Sequence, residues 1–385
     1  MKCKQLFEKI DERFEEYVKV WEDISRIESP TSYKVGVDAV GNYVCEIAKK
    51  HGWKIEIHEE DVSGNAIAIT MNPEAKLPPI VFSAHMDTVH PIGSFGKEVV
   101  WREGNNLRGP GVLDCKSGIA QSLLAMHALE DIGFTARPVI LILQSDEEVG
   151  SRTSGKRTVK FMCDVAKGAV GFINLEGSSP GYAIVERKGI IYYNFHIKGI
   201  EAHSSKCATM GANAIAEAAH KIIELEKIKN EWGVTCNCGT IKGGTVPNTV
   251  PGECTFCVNI RFVSSKDREW IEAKVREIAD TVYVPGCKTT LELHGDRVAM
   301  EYSERNIEFL DKMNKIFEAN ELSTLLAGKA TGGSDAAYVT VAGIPCVDNM
   351  AATGGEIHSP DEFADIESLR EQTKRIAAVA YCIED

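Results

Sequence analysis

The sequence predicts an α/β fold with a ferredoxin-like βαββαβ unit inserted into it. Three observations lead there. Through the first half, apolar runs short enough to be buried strands alternate with amphipathic segments of helix length. From residue 188 the order becomes strand, helix, strand, strand, helix, strand, which is the split βαβ pattern. After residue 295 the chain returns to helix, strand and helix, so the parts that complete the first domain lie on both sides of the second. The expected division is 1–187 with 296–385 for the first domain and 188–295 for the insertion. At 385 residues the chain is also longer than one hydrophobic core usually supports.

Leu6, Phe7, Ile10, Phe14, Val18, Trp21 and Ile24 recur every three or four residues, which predicts a helix over 3–27 packed by one face. A second helix follows over 34–51. KIEIHEE and NAIAIT alternate like strands, and PIVFSAH reads as a buried strand ending at His85. After a glycine-rich turn, KSGIAQSLLAMHALEDI is a helix closed by Gly133, and Pro138 opens the apolar strand VILIL, which leads to Glu147 and Glu148. In the insertion, GIIYYNFHIKG is a strand, 211–227 a helix, VTCNCGTI and GECTFCVNIRF strands, DREWIEAKVREIADTV a helix and TTLELHG the last strand. A helix over 303–320, the strand IPCVDNM and a terminal helix complete the first domain.

The net charge of -13 disfavours nucleic acid or an anionic membrane surface as partner, because both rely on an excess of Lys and Arg. No stretch approaches the roughly 18 apolar residues of a spanning helix. The N-terminal MKCKQLFEKIDERFEEYVKVW carries charges throughout rather than an apolar signal core, so a cytoplasmic protein is expected. Its twelve cysteines then read as reduced, mostly buried thiols. Cys236, Cys238, Cys254 and Cys257 imitate a zinc ribbon, but both pairs lie in predicted strands, where residues three apart face opposite sides.

The chemistry lies elsewhere. His85, Asp114, Glu147 with Glu148, Glu176 and His358 each fall at the end of a predicted strand. Ligands of an open α/β domain converge in the crevice beyond those ends. Imidazole and carboxylate suit zinc, each ion takes about four ligands, and a catalytic site keeps one position open. The set is enough for two adjacent ions. Asp114 has two oxygens with which to bridge them, and Asp87 can accept the second ring proton of His85. Of the adjacent Glu147 and Glu148 only one is needed as a ligand; the other can move a proton between water and a leaving amine. Any one of these side chains alone reads as a satisfied buried hydrogen-bonding group, and it is the set that argues for a site. His51, His58, His90, His127, His196, His220 and His294 match no motif and are expected to be structural, as is the acidic run DERFEE on a solvated helix face.

SAHMDTV, GPGVLDCKSG, SDEEVGS, NLEG, KGIEAHSS, GGSDA and GGEIHSPDE follow one another in the order seen in the M20 metallopeptidases, which the chain resembles over nearly its whole length. That group contains glutamate carboxypeptidase, acetylornithine deacetylase, succinyl-diaminopimelate desuccinylase and aminoacylase. The resemblance implies a zinc-peptidase-like catalytic domain with the insertion as a lid and dimerisation domain, and a homodimer. It implies two Zn2+, with Co2+ or Mn2+ as substitutes: one held by His85, Asp114 and Glu176, the other by Asp114, Glu148 and His358. Glu147 is then the base and Asp87 orients His85. His203 in GIEAHSS matches a histidine that reaches the partner's site and stabilises the oxyanion. Asn248, Arg261, Gly333 and Ser334 match substrate contacts, an arginine fork suiting a terminal carboxylate. The family usually has a cis peptide after the bridging aspartate, and here Cys115 follows it where Asp, Asn or Met is common. The implied activity is hydrolysis of an amide bond beside a free carboxylate, as in a glutamate carboxypeptidase acting on dipeptides or short peptides. An N-acyl amino acid deacylase or desuccinylase is the alternative. A catalytically inactive metal-binding or dimerisation module is the third reading, and it would need a lost ligand or base, whereas all are present.

Overall fold

The computed structural model describes residues 2–231 and 233–384. Helix α1 (Lys4–Arg26) buries the apolar stripe named above along one face. The indole Nε1 of its Trp21 donates to the backbone oxygen of Val112 at 2.9 Å, which fastens the loop before Asp114 to the helix. Helix α2 (Lys34–Lys50) precedes β1 (Lys54–His58), β2 (Ala66–Met71) and β3 (Ile80–His85). Helix α3 (Lys116–Asp131), β4 (Val139–Gln144), α4 (Arg157–Val165) and β5 (Gly171–Asn174) follow. Every residue of β3 and β4 is buried, the continuous apolar pattern of parallel strands covered on both faces.

Past the inserted strands and helices, α7 (Glu304–Ala319), α8 (Ala336–Val341), the short β10 (Cys346–Val347) and α9 (Ile366–Cys382) return to the first unit. Its main sheet runs β1-β2-β4-β3-β5-β10. Strands β4, β3, β5 and β10 are parallel neighbours, so their carboxyl ends open on the same side, with His85 opposite Gln144. Gly118 lets α3 approach the end of β5: a Cβ there would lie 2.6 Å from the Cβ and carbonyl oxygen of Leu175, beside Glu176.

The chain divides into two compact units, the first comprising Met1–Glu186, Tyr302–Lys329 and Ser334–Asp385, the second Arg187–Glu301 with Ala330–Gly333. The second unit holds β6 (Gly189–Lys198), α5 (Ala214–Leu225), β7 (Thr235–Gly243), β8 (Glu253–Phe262), α6 (Ser265–Asp280) and β9 (Lys288–Arg297). Its strands pair antiparallel in the order β7-β8-β6-β9, the ferredoxin-like arrangement. It reaches beyond residue 295 because β9 pairs through Arg297 with Ile190, and Met300 and Arg187 exchange both backbone hydrogen bonds. Helix α5 begins at Ala214 rather than 211, because Ala212 is engaged in backbone pairing with Ile200 and Asn213 caps the helix through Ala216 N–H at 3.0 Å. A two-residue ladder of Ala202–His203 against Thr249–Val250 has no counterpart in the sequence reading.

None of the twelve cysteines forms a disulfide. Cys254 is buried and Cys257 half-buried, and among the described residues the four ribbon-like cysteines form no candidate metal group. Among the described residues no helix is long and apolar enough to cross a membrane.

Candidate metal centre

Three acidic or imidazole groups emerge where the parallel strands end. His85 is the last residue of β3; β4 runs into a 3-10 turn, Glu147–Val149; and Glu176 follows β5 by two residues. Asp114 and His358 arrive differently from the expectation that every candidate ends a strand. Asp114 lies in the loop entering α3, shaped by Gly111 at φ +71°, where a Cβ would meet Thr88 Cγ2 at 2.7 Å. His358 lies in the loop between the short strands Gly354–Gly355 and Phe363–Asp365, itself at φ +65° with Glu356 at +57°. Two non-glycine residues in the left-handed region within three positions mark a segment whose conformation is imposed by its surroundings.

These loops bring the groups together. His85 Nε2 is 3.0 Å from Asp114 Oδ1 and 3.7 Å from Glu176 Oε2. His358 Nε2 is 3.1 Å from Asp114 Oδ2 and 3.3 Å from Glu148 Oε2. Each oxygen of Asp114 thus faces a different imidazole, and each imidazole faces its own glutamate. Glu147, buried, stands next to Glu148 on the same turn. The Asp114–Cys115 peptide is cis, and the Cys115 thiol accepts the backbone N–H of His85 at 3.0 Å.

Two buried carboxylates hold these loops. Asp87 accepts the backbone N–H groups of Glu147 and Glu148, each at 3.2 Å, and the Thr31 hydroxyl at 2.7 Å. Its main-chain oxygen lies 2.9 Å from His85 Nδ1, closer than its carboxylate at 3.4 Å. The second ring nitrogen therefore meets the Asp87 backbone first, because the carboxylate is occupied by the glutamate turn. Glu362, the last residue of GGEIHSPDE, was given no role by the sequence. It is fully buried and accepts from the backbone N–H groups of Leu113, Asp114 and Gly111 at 2.8, 3.0 and 3.2 Å, and it bonds His90 Nε2 at 2.6 Å. The signal available was an acid four residues after His358 within one motif.

The second unit carries most of the remaining candidates. His203 is exposed and its Nδ1 lies 2.9 Å from Ser205 Oγ, while Ser204 N–H donates to the Asn248 carbonyl at 2.9 Å, which brings Asn248 beside it. Arg261 donates through Nη1 to the Thr331 carbonyl, and Arg187 to that of Gly332 at 3.2 Å, so two arginines pin the strip that ends at Gly333. Ser334 belongs to the first unit, where its buried hydroxyl accepts from Asn174 Nδ2 at 3.0 Å.

Comparison with known proteins gives these groups a context. Residues 185–287 match the family described as Peptidase dimerisation domain (M20_dimer), and residues 65–218 match Peptidase family M28. Carboxypeptidase G2 of Pseudomonas sp. (strain RS-16) is 25% identical over 360 residues, spanning 91% of this chain and 85% of that protein. A succinyl-diaminopimelate desuccinylase of Verminephrobacter eiseniae is 25% identical over 337 residues, 77% of each. The fold is that of aminopeptidase PepT from Bacillus cereus, with a TM-score of 0.77 at 21% identity over 95% of this chain and 98% of that one. It is equally that of the M20 family metallo-carboxypeptidase Sso-CP2 from Sulfolobus solfataricus, with a TM-score of 0.71 at 16% identity over 95% and 98%. The chain carries the peptidase dimerisation domain of the M20 group and is similar over nearly its whole length to M20 metallopeptidases.

M20 metallopeptidases are metal-dependent hydrolases, and the electrostatics of this cluster suit cations. Burial pushes Glu148 and Glu176 up to about 8, reinforced by the charge of Asp114. Against its own burial, Asp114 is held well below the usual carboxylate range by hydrogen bonds from His358 and His85. Hydrogen bonds to Asp114 and Glu148 lift His358 to about 10, and His85 is raised well above 6.5 despite burial by the acidic groups around it. Too many buried carboxylates compete for too little positive charge, a deficit that bound divalent ions relieve. The donor set fits such ions: the ligand atoms of His85, Asp114 and Glu148 lie within 4.8 Å of one another, as do those of His85, Cys115 and Glu176. Burial raises the Cys115 thiol strongly, which leaves the imidazole and carboxylates as the better donors.

Proposed function

We propose that this chain is an M20-type di-zinc amidohydrolase that cleaves an amide bond beside a free carboxylate, with glutamate carboxypeptidase-like action on dipeptides or short peptides. The observation that carries the reading is Asp114 with a separate imidazole at each of its oxygens and a separate glutamate beyond each imidazole. His85, Asp114 and Glu176 would hold one ion and Asp114, Glu148 and His358 the other, Co2+ or Mn2+ being possible substitutes. Bound divalent ions supply Lewis acidity, polarising the scissile carbonyl and lowering the pKa of water to about 7. Glu147, buried beside the ligands, takes the proton of the attacking water and returns it to the leaving amine. Asp87 fixes the glutamate turn and the His85 ring while this happens. Arg261 and Asn248, with the backbone around Gly333 and Ser334, bind the substrate carboxylate. His203, contributed by the partner in a homodimer, donates to the oxygen that gains charge.

The 91% coverage by carboxypeptidase G2 supports the peptidase reading over the other branches. The likeness to the desuccinylase keeps an N-acyl amino acid deacylase as the second reading. Amine release from a panel of C-terminal glutamyl dipeptides and N-acyl amino acids, with zinc-loaded protein beside a chelator-treated aliquot, separates them. Chelator-sensitive release chiefly from dipeptides is expected. Faster cleavage of acyl amino acids would replace the first reading by the second, and no release from any member with zinc bound would favour an inactive module.

A further inference from the structure

Away from that centre, His51, His127 and Glu130 also place one ligand atom each within 4.8 Å of the others. His51 caps the C-terminal end of α2; His127 and Glu130, three apart on α3, share one face of that helix. His51 Nδ1 is 2.5 Å from Glu130 Oε2, and the two imidazoles meet edge-on with centroids 4.2 Å apart. Each of the three has an outer partner. The Tyr17 hydroxyl lies 2.8 Å from His127 Nδ1, which leaves Nε2 as the available ring nitrogen. Trp53 stacks on His51 at 4.6 Å and donates to the other oxygen of Glu130 at 3.2 Å. Such outer contacts fix ring orientation in metal sites. Burial, and then the neighbouring His51, hold His127 below 6.5, so its imidazole is neutral near pH 7, the form that binds metal.

We propose that His51, His127 and Glu130 form a site for one divalent transition-metal ion such as Zn2+, distinct from the catalytic pair, which ties the end of α2 to α3. Two imidazoles and one carboxylate favour Zn2+, Ni2+ or Cu2+ over Mg2+ or Ca2+. Among the described residues the neighbouring acid Asp131 is paired with Arg13 and does not stand free to act as a base there. The ion is therefore a structural staple.

The test is equilibrium dialysis of the full chain against buffered free Zn2+ followed by metal analysis. His127→Gln and the exposed Glu130→Gln should each bind one zinc fewer per chain than the wild type at a concentration that just fills its sites, with amide hydrolysis unchanged. Tyr17→Phe should weaken that ion by about tenfold without removing it. Asp114→Asn, which alters only the proposed catalytic centre, should keep the His127-dependent zinc, so failure of either reading shows separately. Equal zinc content in wild type, His127→Gln and Glu130→Gln would overturn the proposal.

Discussion

His85 and His203 both sit in short motifs, yet their surroundings are opposite. His85 is 2% exposed, and both ring nitrogens meet atoms of acidic residues. His203 is exposed, and its Nδ1 meets the hydroxyl and backbone N–H of Ser205 in its own turn. The contrast extends to their neighbours. Around His85, buried Asp87 and Glu362 spend their oxygens on backbone N–H groups of the very loops that carry Glu147, Glu148 and Asp114. Around His203 the support is a two-residue ladder and the backbone hydrogen bond from Ser204 to Asn248. Groups that must hold a cation before substrate arrives need a prebuilt cage, because misplacement by an ångström is costly.

The sharpest way to break this contrast is Glu147→Gln. It keeps the size of the side chain and, with the ligands untouched, should retain bound metal while lowering kcat by about 10³-fold or more. Unchanged turnover would remove Glu147 from proton transfer. His203→Ala comes next, with a loss of about 10² to 10³ in kcat and little change in KM, the cost of one oxyanion donor. Mixing Glu147→Gln subunits with His203→Ala subunits should restore activity that neither has alone, because a hybrid dimer carries one intact pair across its interface. No recovery on mixing would argue that His203 does not act in trans.

The strand ends were readable because β3, β4 and β5 are short, fully buried and mostly apolar runs, with His85 ending β3 and acids following β4 and β5 within three residues. The other half of the centre was not readable as geometry. Asp114 and His358 ride on loops shaped by positive φ at Gly111, Glu356 and His358, and such backbone leaves no periodic trace. Glu362 was invisible for a different reason: the N–H groups it accepts lie 248 to 251 residues away in sequence. His51 and Glu130 likewise meet only because α2 and α3 fold together, so residues with no motif between them converge.

Two intermediate effects sharpen the comparison from each side. Glu362→Gln keeps the shape but weakens the charge-assisted acceptor under the Asp114 loop, and should lower zinc affinity about 10-fold to 100-fold with the fold intact. Metal titration by competition with a chromophoric chelator reads this directly, and an unchanged affinity would reduce Glu362 to packing. Arg261→Lys leaves a cation but removes the fork, so KM for a carboxylate substrate should rise by about 10-fold to 100-fold, corresponding to the ~1.5–3 kcal/mol of a charged hydrogen bond. A matching fall in kcat with KM unchanged would place Arg261 outside ground-state binding.

The smallest effect compares two buried histidines within the first unit. The acidic groups around His85 overcome its burial and raise it, whereas His127, whose nearest carboxylate oxygen at Asp131 is 3.9 Å away, is lowered, first by burial and then by His51. A histidine lowered on folding refuses a proton that the unfolded chain accepts. Below the ordinary value of 6.5 the unfolded state therefore binds more protons at this position, and its contribution to stability declines as pH falls, while above 6.5 it is flat. Urea unfolding in chelator at pH 7.5 and 5.5 should show wild type losing more stability on acidification than His127→Gln, by on the order of 1 kcal/mol. Equal losses would mean that the Tyr17 hydroxyl reorients to accept from a protonated His127, and that burial alone does not keep this imidazole neutral.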